Sequence, residues 1–239
     1  FSSMGQACFS GGPGVVYLFI MCAVACGFTA LCYAEVAARV PTSGSAYTYA
    51  YVTLGELAAW IIGWDLILEY AVGNVAVAIS WAGYFASFLK GFKIHLSDSI
   101  MTPTAIALHQ GKGFAINLPA MVIVLLMTVL LVRGVKESVT FNNVVVLIKL
   151  AVLVFFVGLG FLFVDPGNWT DFAPNGWKGI HGAAAVIFFA YIGFDAVSTA
   201  AEETENPSRN LPIGMIGSLV ICTGLYIAIS LVMTGMAHY

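Results

Sequence analysis

Charge is what this sequence has least of. Only 9% of its 239 residues are Asp, Glu, Lys or Arg, 60% are hydrophobic, and the net charge is -3. A soluble domain covers itself with roughly 25% charged residues, so a water-facing globular exterior is excluded and a polytopic membrane protein is expected. The few basic residues are dispersed, which leaves neither a nucleic-acid face nor a polybasic lipid cluster. Cysteine is scarce as well. Cys8, Cys22, Cys26, Cys32 and Cys222 share no metal-ligand or redox spacing, and four of them sit in apolar runs, where they read as small packing residues. His95, His109, His181 and His238 are scattered. With no metal-ligand set, no nucleophile beside a base and no phosphate loop, neither enzymatic activity nor a cofactor is expected. A basic n-region with a cleavage site is also missing, so Phe1 does not begin a signal peptide. Without an initiating methionine the chain reads as part of a longer protein.

Long apolar runs are what it has. Residues 1–12 are too few to span a bilayer, and Gly11-Gly12-Pro13-Gly14 separates them from a first full run, 13–38. A turn at 41–45 and the tyrosines Tyr47, Tyr49 and Tyr51 suit an interfacial segment. The run 55–89 would reach about 52 Å as a helix, far beyond a hydrocarbon core of ~30 Å, so it must tilt or project. Its small residues Gly73, Ala76, Ser80, Gly83 and Ser87 permit close helix approach. After a polar loop, 90–115, come runs at 117–132, 141–164, 180–201 and 211–238, giving six spans and a remnant. Asn168-Trp169-Thr170 is formally a glycosylation sequon, of a kind that arises by chance. Alternating sides place Arg39, Arg133, Lys136 and Arg209 opposite Lys90, Lys93, Lys112 and Lys178, a tie that leaves orientation open.

The stretch 188–212, FFAYIGFDAVSTAAEETENPSRNLP, stands apart. Gly193 and Asp195 put a flexible joint and an acid where lipid-facing helices rarely have them. Two readings fit: a packing glycine with a paired acid in an unbroken helix, or a helix opened at membrane depth, which survives only where it lines a cavity or holds a ligand. On the second reading a bulky residue at Gly193 would crowd the bend. Two further charges lie inside spans. Lys149, about eight residues into its run, costs roughly 2.5–3.5 kcal/mol there unless it snorkels to the interface. Glu69 follows Asp65 by one helical turn, and two such carboxylates repel, so one is partnered or protonated. Glu69 belongs either to a structural ion pair or to a substrate path.

The runs YAEVAARVPTSGSAYTYAYVTLGELAAWIIGWDLILEY, 33–70, and the 188–212 stretch closely resemble the cationic amino acid transporter branch of the amino acid–polyamine–organocation permeases. The match extends over essentially the whole chain. That resemblance implies an all-α integral membrane fold of two inverted five-helix repeats, with discontinuous helices one and six. The chain would hold the end of helix one and helices two to seven, with Phe1 ending the break in helix one. It implies secondary active, proton-coupled symport of cationic or broad-range amino acids by alternating access, with the amino acid substrate, protons and the lipid bilayer as partners and no nucleic acid. Carbonyls of Phe189, Ala190 and Ile192, next to Gly193, would take the substrate ammonium. The Phe189 ring would close over it, Asp195 would lie near the inner gate or make a structural hydrogen bond, Glu69 would flank the substrate, and Lys149 would stand where sodium-coupled relatives bind an ion. Glu202, Glu203 and Arg209 match a cytoplasmic loop and read as a solvated turn. A multi-pass protein of the cell membrane follows. Amino acid exchange, a channel or a receptor are the alternatives.

Overall fold

A computed structural model describes residues 4–94, 96–111, 115–133 and 135–236, without the side chains of residues 98, 105 and 135–138. Phe1, His95, Lys112 and His238 lie outside these, as do the side chains of Lys136 and Glu137. Every regular element among the described residues is helical: α1 Met4–Gly11, α2 Val15–Arg39, α3 Ser45–Leu54, α4 Glu56–Gly91, α5 Thr104–His109, α6 Leu118–Arg133, α7 Val135–Phe161, α8 Gly176–Gly182, α9 Ala184–Tyr191 and α10 Pro207–Met236. A short 3₁₀ turn, Gly12–Gly14, joins α1 to α2, and a longer 3₁₀ helix, Asp195–Glu203, follows α9. Gly55 separates α3 from α4. At φ +94 its N–H closes α3 on the Ala50 carbonyl at 3.1 Å, while its own carbonyl receives the Ala59 N–H at 3.1 Å and starts α4.

Among the described residues five stretches are long and apolar enough to cross a bilayer: Met4–Arg39, Glu56–Gly91, Val139–Phe161, Gly176–Glu203 and Pro207–Met236. Leu118–Arg133 is apolar but shorter, and its 16 residues reach about 24 Å, less than the ~30 Å core. The chain divides into two compact units, one of Phe1–Leu66 with Lys149–Tyr239 and one of Ile67–Ile148.

In the first unit α2 lies along α10, with α9 beside them. Phe19, Cys22, Cys26 and Ala30 of α2 recur at helical spacing and are buried with Ile187 and Tyr191 of α9 and Leu219, Tyr226 and Ile229 of α10. In lipid such contact is held by van der Waals packing between small and closely fitted side chains, not by escape from water. Cys32 and Cys222 are exposed, unlike the other three cysteines, and all five are free thiols. The loop after α7 is fastened to the end of α10: the Asp165 N–H and the Asn168 amide both donate to the Gly235 carbonyl, at 2.9 and 2.8 Å. The sequon asparagine is thus engaged in holding the fold.

In the second unit Ala78 and Ala82 of α4 are buried against Ala120 of α6, with Met101 and Ile123 around them. The polar stretch read as a loop is partly helical and internally tied. Thr104 Oγ1 donates to the Ala115 carbonyl at 2.5 Å and the Asn117 amide to the Met101 carbonyl at 3.0 Å. Asn117 Oδ1 then accepts the Ala120 N–H at 3.1 Å, which caps the start of α6.

Candidate functional site

The apolar stretch around 180–201 is interrupted twice. α8 passes into α9 through Ala183, at φ -85 and ψ -6, and α9 stops at Tyr191. Ile192 is extended, at φ -57 and ψ 132, and Gly193 has φ +114, a conformation that costs any L-residue. A Cβ added at Gly193 would meet nothing within 4 Å. Glycine is required here by backbone torsion, and the crowding expected from the sequence is not the reason. The chain resumes as the 3₁₀ helix Asp195–Glu203, nine residues long where such runs rarely exceed three or four.

Opening a helix deprives its last carbonyls of their usual donors. The Phe189 carbonyl accepts from the Ile192 N–H at 3.3 Å and the Gly193 carbonyl from the Ala196 N–H at 3.2 Å. The Ala190 carbonyl accepts from the Tyr226 hydroxyl at 2.8 Å. Among the described residues no hydrogen bond reaches the Ile192 carbonyl. The Tyr226 ring stacks on Phe19, with centroids 5.5 Å apart, and meets Tyr191 edge-on at 5.5 Å. Tyr191 in turn donates its hydroxyl to the Phe19 carbonyl at 3.0 Å. Two phenols within apolar helices thereby find acceptors, and they anchor α9 to α2 and to α10 just before the break. Beside the break lies a cavity of about 240 Å³, bounded by Ala190, Ile192, Gly193, Phe194, Cys222 and Tyr226, with no charged residue along its described walls.

Phe189, Ala190, Ile192, Gly193 and Asp195 therefore fall within one short stretch. Phe189, Ala190 and Gly193 are half-buried, Ile192 is exposed and Asp195 is buried. Lys149 belongs to the same unit, near the middle of α7 and exposed, because α7 begins at Val135, earlier than the apolar run alone indicates. Glu69 is half-buried in α4, within the other unit. Tyr226, Tyr191 and Phe19 were not singled out by the sequence. Their signal was a tyrosine inside an apolar span, which obliges its hydroxyl to find a partner.

At the far end of the break α3 seats against the 3₁₀ helix. Ser43 N–H donates to Glu202 Oε1 at 3.2 Å, so this acid of the loop is a tie as well as a solvated group. Ser198 Oγ donates to the Asp195 carbonyl at 2.6 Å and Ser45 Oγ approaches the same carbonyl at 3.5 Å. Tyr49, 6% exposed, packs with Ala201, Leu211 and Met215, and its ring meets Tyr33 edge-on at 5.6 Å. Its hydroxyl is buried and makes no hydrogen bond among the described residues. Burial pushes the phenol pKa up, and nearby Ser198 offsets this in part without reaching hydrogen-bond geometry. The phenol therefore stays neutral, and leaving its hydroxyl unpaired costs about 1–3 kcal/mol.

Residues 2–238 match the family described as amino acid permease. The methylthioribose transporter of Bacillus subtilis (strain 168) is 51% identical over 230 residues, covering 95% of this chain and 49% of that protein. The branched-chain amino acid permease of the same organism is 50% identical over 236 residues, covering 98% and 50%. The human cationic amino acid transporter 4 is 38% identical over 232 residues, covering 95% and 36%. The chain spans about half the length, or less, of the curated relatives it matches.

Proposed function

This chain belongs to the amino acid permease family and is a multi-pass integral membrane protein, and from that premise we propose that it carries helices two to seven of a secondary active amino acid transporter with an inverted-repeat fold. The observation that supports this reading is the opening at Ile192–Gly193 within an apolar stretch. A half-helix that ends there offers carbonyls and the negative end of its dipole to a substrate α-ammonium. The Ile192 carbonyl would accept first, while those of Phe189 and Ala190 each keep a second lone pair beyond their present bonds. The Phe189 ring would close over the bound substrate, and Asp195 would lie toward the inner gate. Rocking of one repeat against the other would expose the site to each side in turn.

Two observations favour neutral side chains within a broad range over cationic ones. The described walls of the cavity beside the break carry no charge. The relatives at 51% and 50% identity are named for methylthioribose and for branched-chain amino acids, whereas the human relative named for cationic amino acids is at 38%. Lys149 is the proposed proton-responsive group, as a basic side chain near the middle of the apolar helix α7. Glu69 would flank the substrate path and bear on selectivity.

The test is uptake of labelled leucine by the full-length protein in proteoliposomes, with alanine, methionine and arginine as competitors and with or without a pH gradient. Saturable uptake is expected, inhibited more by methionine than by arginine and accelerated when the outside is acid. Lys149→Met should lose the acceleration, and Glu69→Gln should change the ratio of arginine to alanine uptake. Uptake that requires preloaded amino acid would establish exchange in place of symport. Flux that never saturates would overturn the transporter reading in favour of a channel.

A further inference from the structure

The seat of α3 on the 3₁₀ helix contains an oddity that packing does not explain. Its two buried serine hydroxyls are directed at one acceptor: Ser198 bonds the Asp195 carbonyl at 2.6 Å and Ser45 approaches it at 3.5 Å. Tyr49 fills the apolar part of the seat, against Ala201, Leu211 and Met215, and its hydroxyl is buried there without a hydrogen bond among the described residues. Phenylalanine would fill the same space without that penalty. A hydroxyl that suffers only while the seat is closed, and that water satisfies once α3 and the 3₁₀ helix part, acts differently on the two states. Such a difference is what shifts a conformational equilibrium.

We propose that Tyr49 is a positioning residue of the transport cycle, its unpaired hydroxyl weakening the seat of α3 on Asp195–Glu203 so that the two separate readily when helix six moves. This rests on the transport reading above. Other features of the seat fit a joint that opens: the tie at its edge is a single backbone-to-carboxylate hydrogen bond, Ser43 to Glu202, between exposed groups. The segment it holds is a 3₁₀ helix, whose bonds are poorer than those of an α-helix and which marks hinges when it occurs within a longer helix.

The test uses the full-length protein with Cys32 and Cys222 replaced by serine and spin labels at Val52→Cys and Glu203→Cys, both exposed positions. Pulsed electron paramagnetic resonance in proteoliposomes, without substrate, reads the fraction of short and long distances across the seat. Tyr49→Phe is expected to raise the ratio of seated to parted molecules at least threefold. Tyr49→Ala, which removes the apolar anchor, is expected to lower it. In leucine uptake Tyr49→Phe should reduce the maximal rate several-fold without raising the half-saturating concentration, a split that a purely structural side chain would not produce. Equal seated fractions in Tyr49 and Tyr49→Phe proteins overturn the proposal. If Tyr49→Phe does not insert, an unchanged fraction in Tyr49→Ala does the same. Failure of the parent to take up leucine overturns the transport reading instead, and the two failures stay distinct because the distances need no substrate.

Discussion

Two consecutive apolar stretches in this chain contain several glycines, and only one of them opens. α10 carries Gly214, Gly217, Gly224 and Gly235, with Pro212 in addition, and remains helical from Pro207 to Met236. The stretch before it opens at Gly193. Glycine content therefore does not decide where a membrane helix breaks. What differs is the supply of partners for the freed backbone. At the break Tyr226 comes from another helix to bond the Ala190 carbonyl. Within α10 the Ser218, Thr223, Ser230 and Thr234 hydroxyls bond carbonyls of their own helix three or four residues back, and the outside donors, the Asp165 N–H and the Asn168 amide, reach only the Gly235 carbonyl at its very end. A permissive residue makes the opening possible, and an external donor makes it stable in lipid.

The contrast can be broken most severely at Gly193. Leucine there must adopt φ near +114, at roughly 1–3 kcal/mol, or rewind the helix and close the break. Uptake by Gly193→Leu is expected to fall more than tenfold at an unchanged amount of protein in the membrane, and normal uptake would detach the break from function. Tyr226→Phe comes next, because it keeps the ring stack and removes only the external donor. With the Ala190 carbonyl left unpaired, at about 1–3 kcal/mol, the concentration for half-maximal uptake should rise about fivefold or more. An unchanged titration would take the donor out of the explanation.

Glycines of α10 should respond in another manner. A Cβ at Gly235 would come within 2.8 Å of Val164 and 3.0 Å of Trp169, so Gly235→Ala is expected to cost about 1–3 kcal/mol by overpacking. It should lower the melting temperature while leaving the half-saturating concentration alone. The smallest effect belongs to Gly217, where an added Cβ meets nothing within 4 Å. Gly217→Ala should be neutral or stabilising by up to about 1 kcal/mol, and a loss of uptake there would show that α10 needs a joint of its own.

Hydropathy alone discloses the membrane class and the approximate runs, and Gly193 with Asp195 marks out 188–212 in the sequence. What it does not disclose has two causes. The apolar run begins at Phe141, after Arg133, Lys136 and Glu137 have closed the one before it, yet α7 winds from Val135 onward. Polarity reports on surroundings, not on backbone winding. The helical part of 90–115 was missed on the same ground. Tyr226 and Tyr49 escaped for a different reason: the atoms that define their roles lie far along the chain, 36 residues away in the bond to Ala190 and about 150 away in the contacts with Ala201. Helical periodicity carries no information over that range.

The 3₁₀ helix has a mechanical consequence. Its buried residues are Asp195, Ser198 and Ala201, one in every three, so in a helix of three residues per turn they form a straight stripe. Rewound at 3.6 residues per turn, the same stripe would twist by about 120° between Asp195 and Ala201, and nine residues would contract from about 18 Å to about 13.5 Å. Pitch and facing are geared together as in a screw thread. Any contraction of this segment into an α-helix also rotates Ala201 away from Tyr49, so shortening, turning and unseating are one movement.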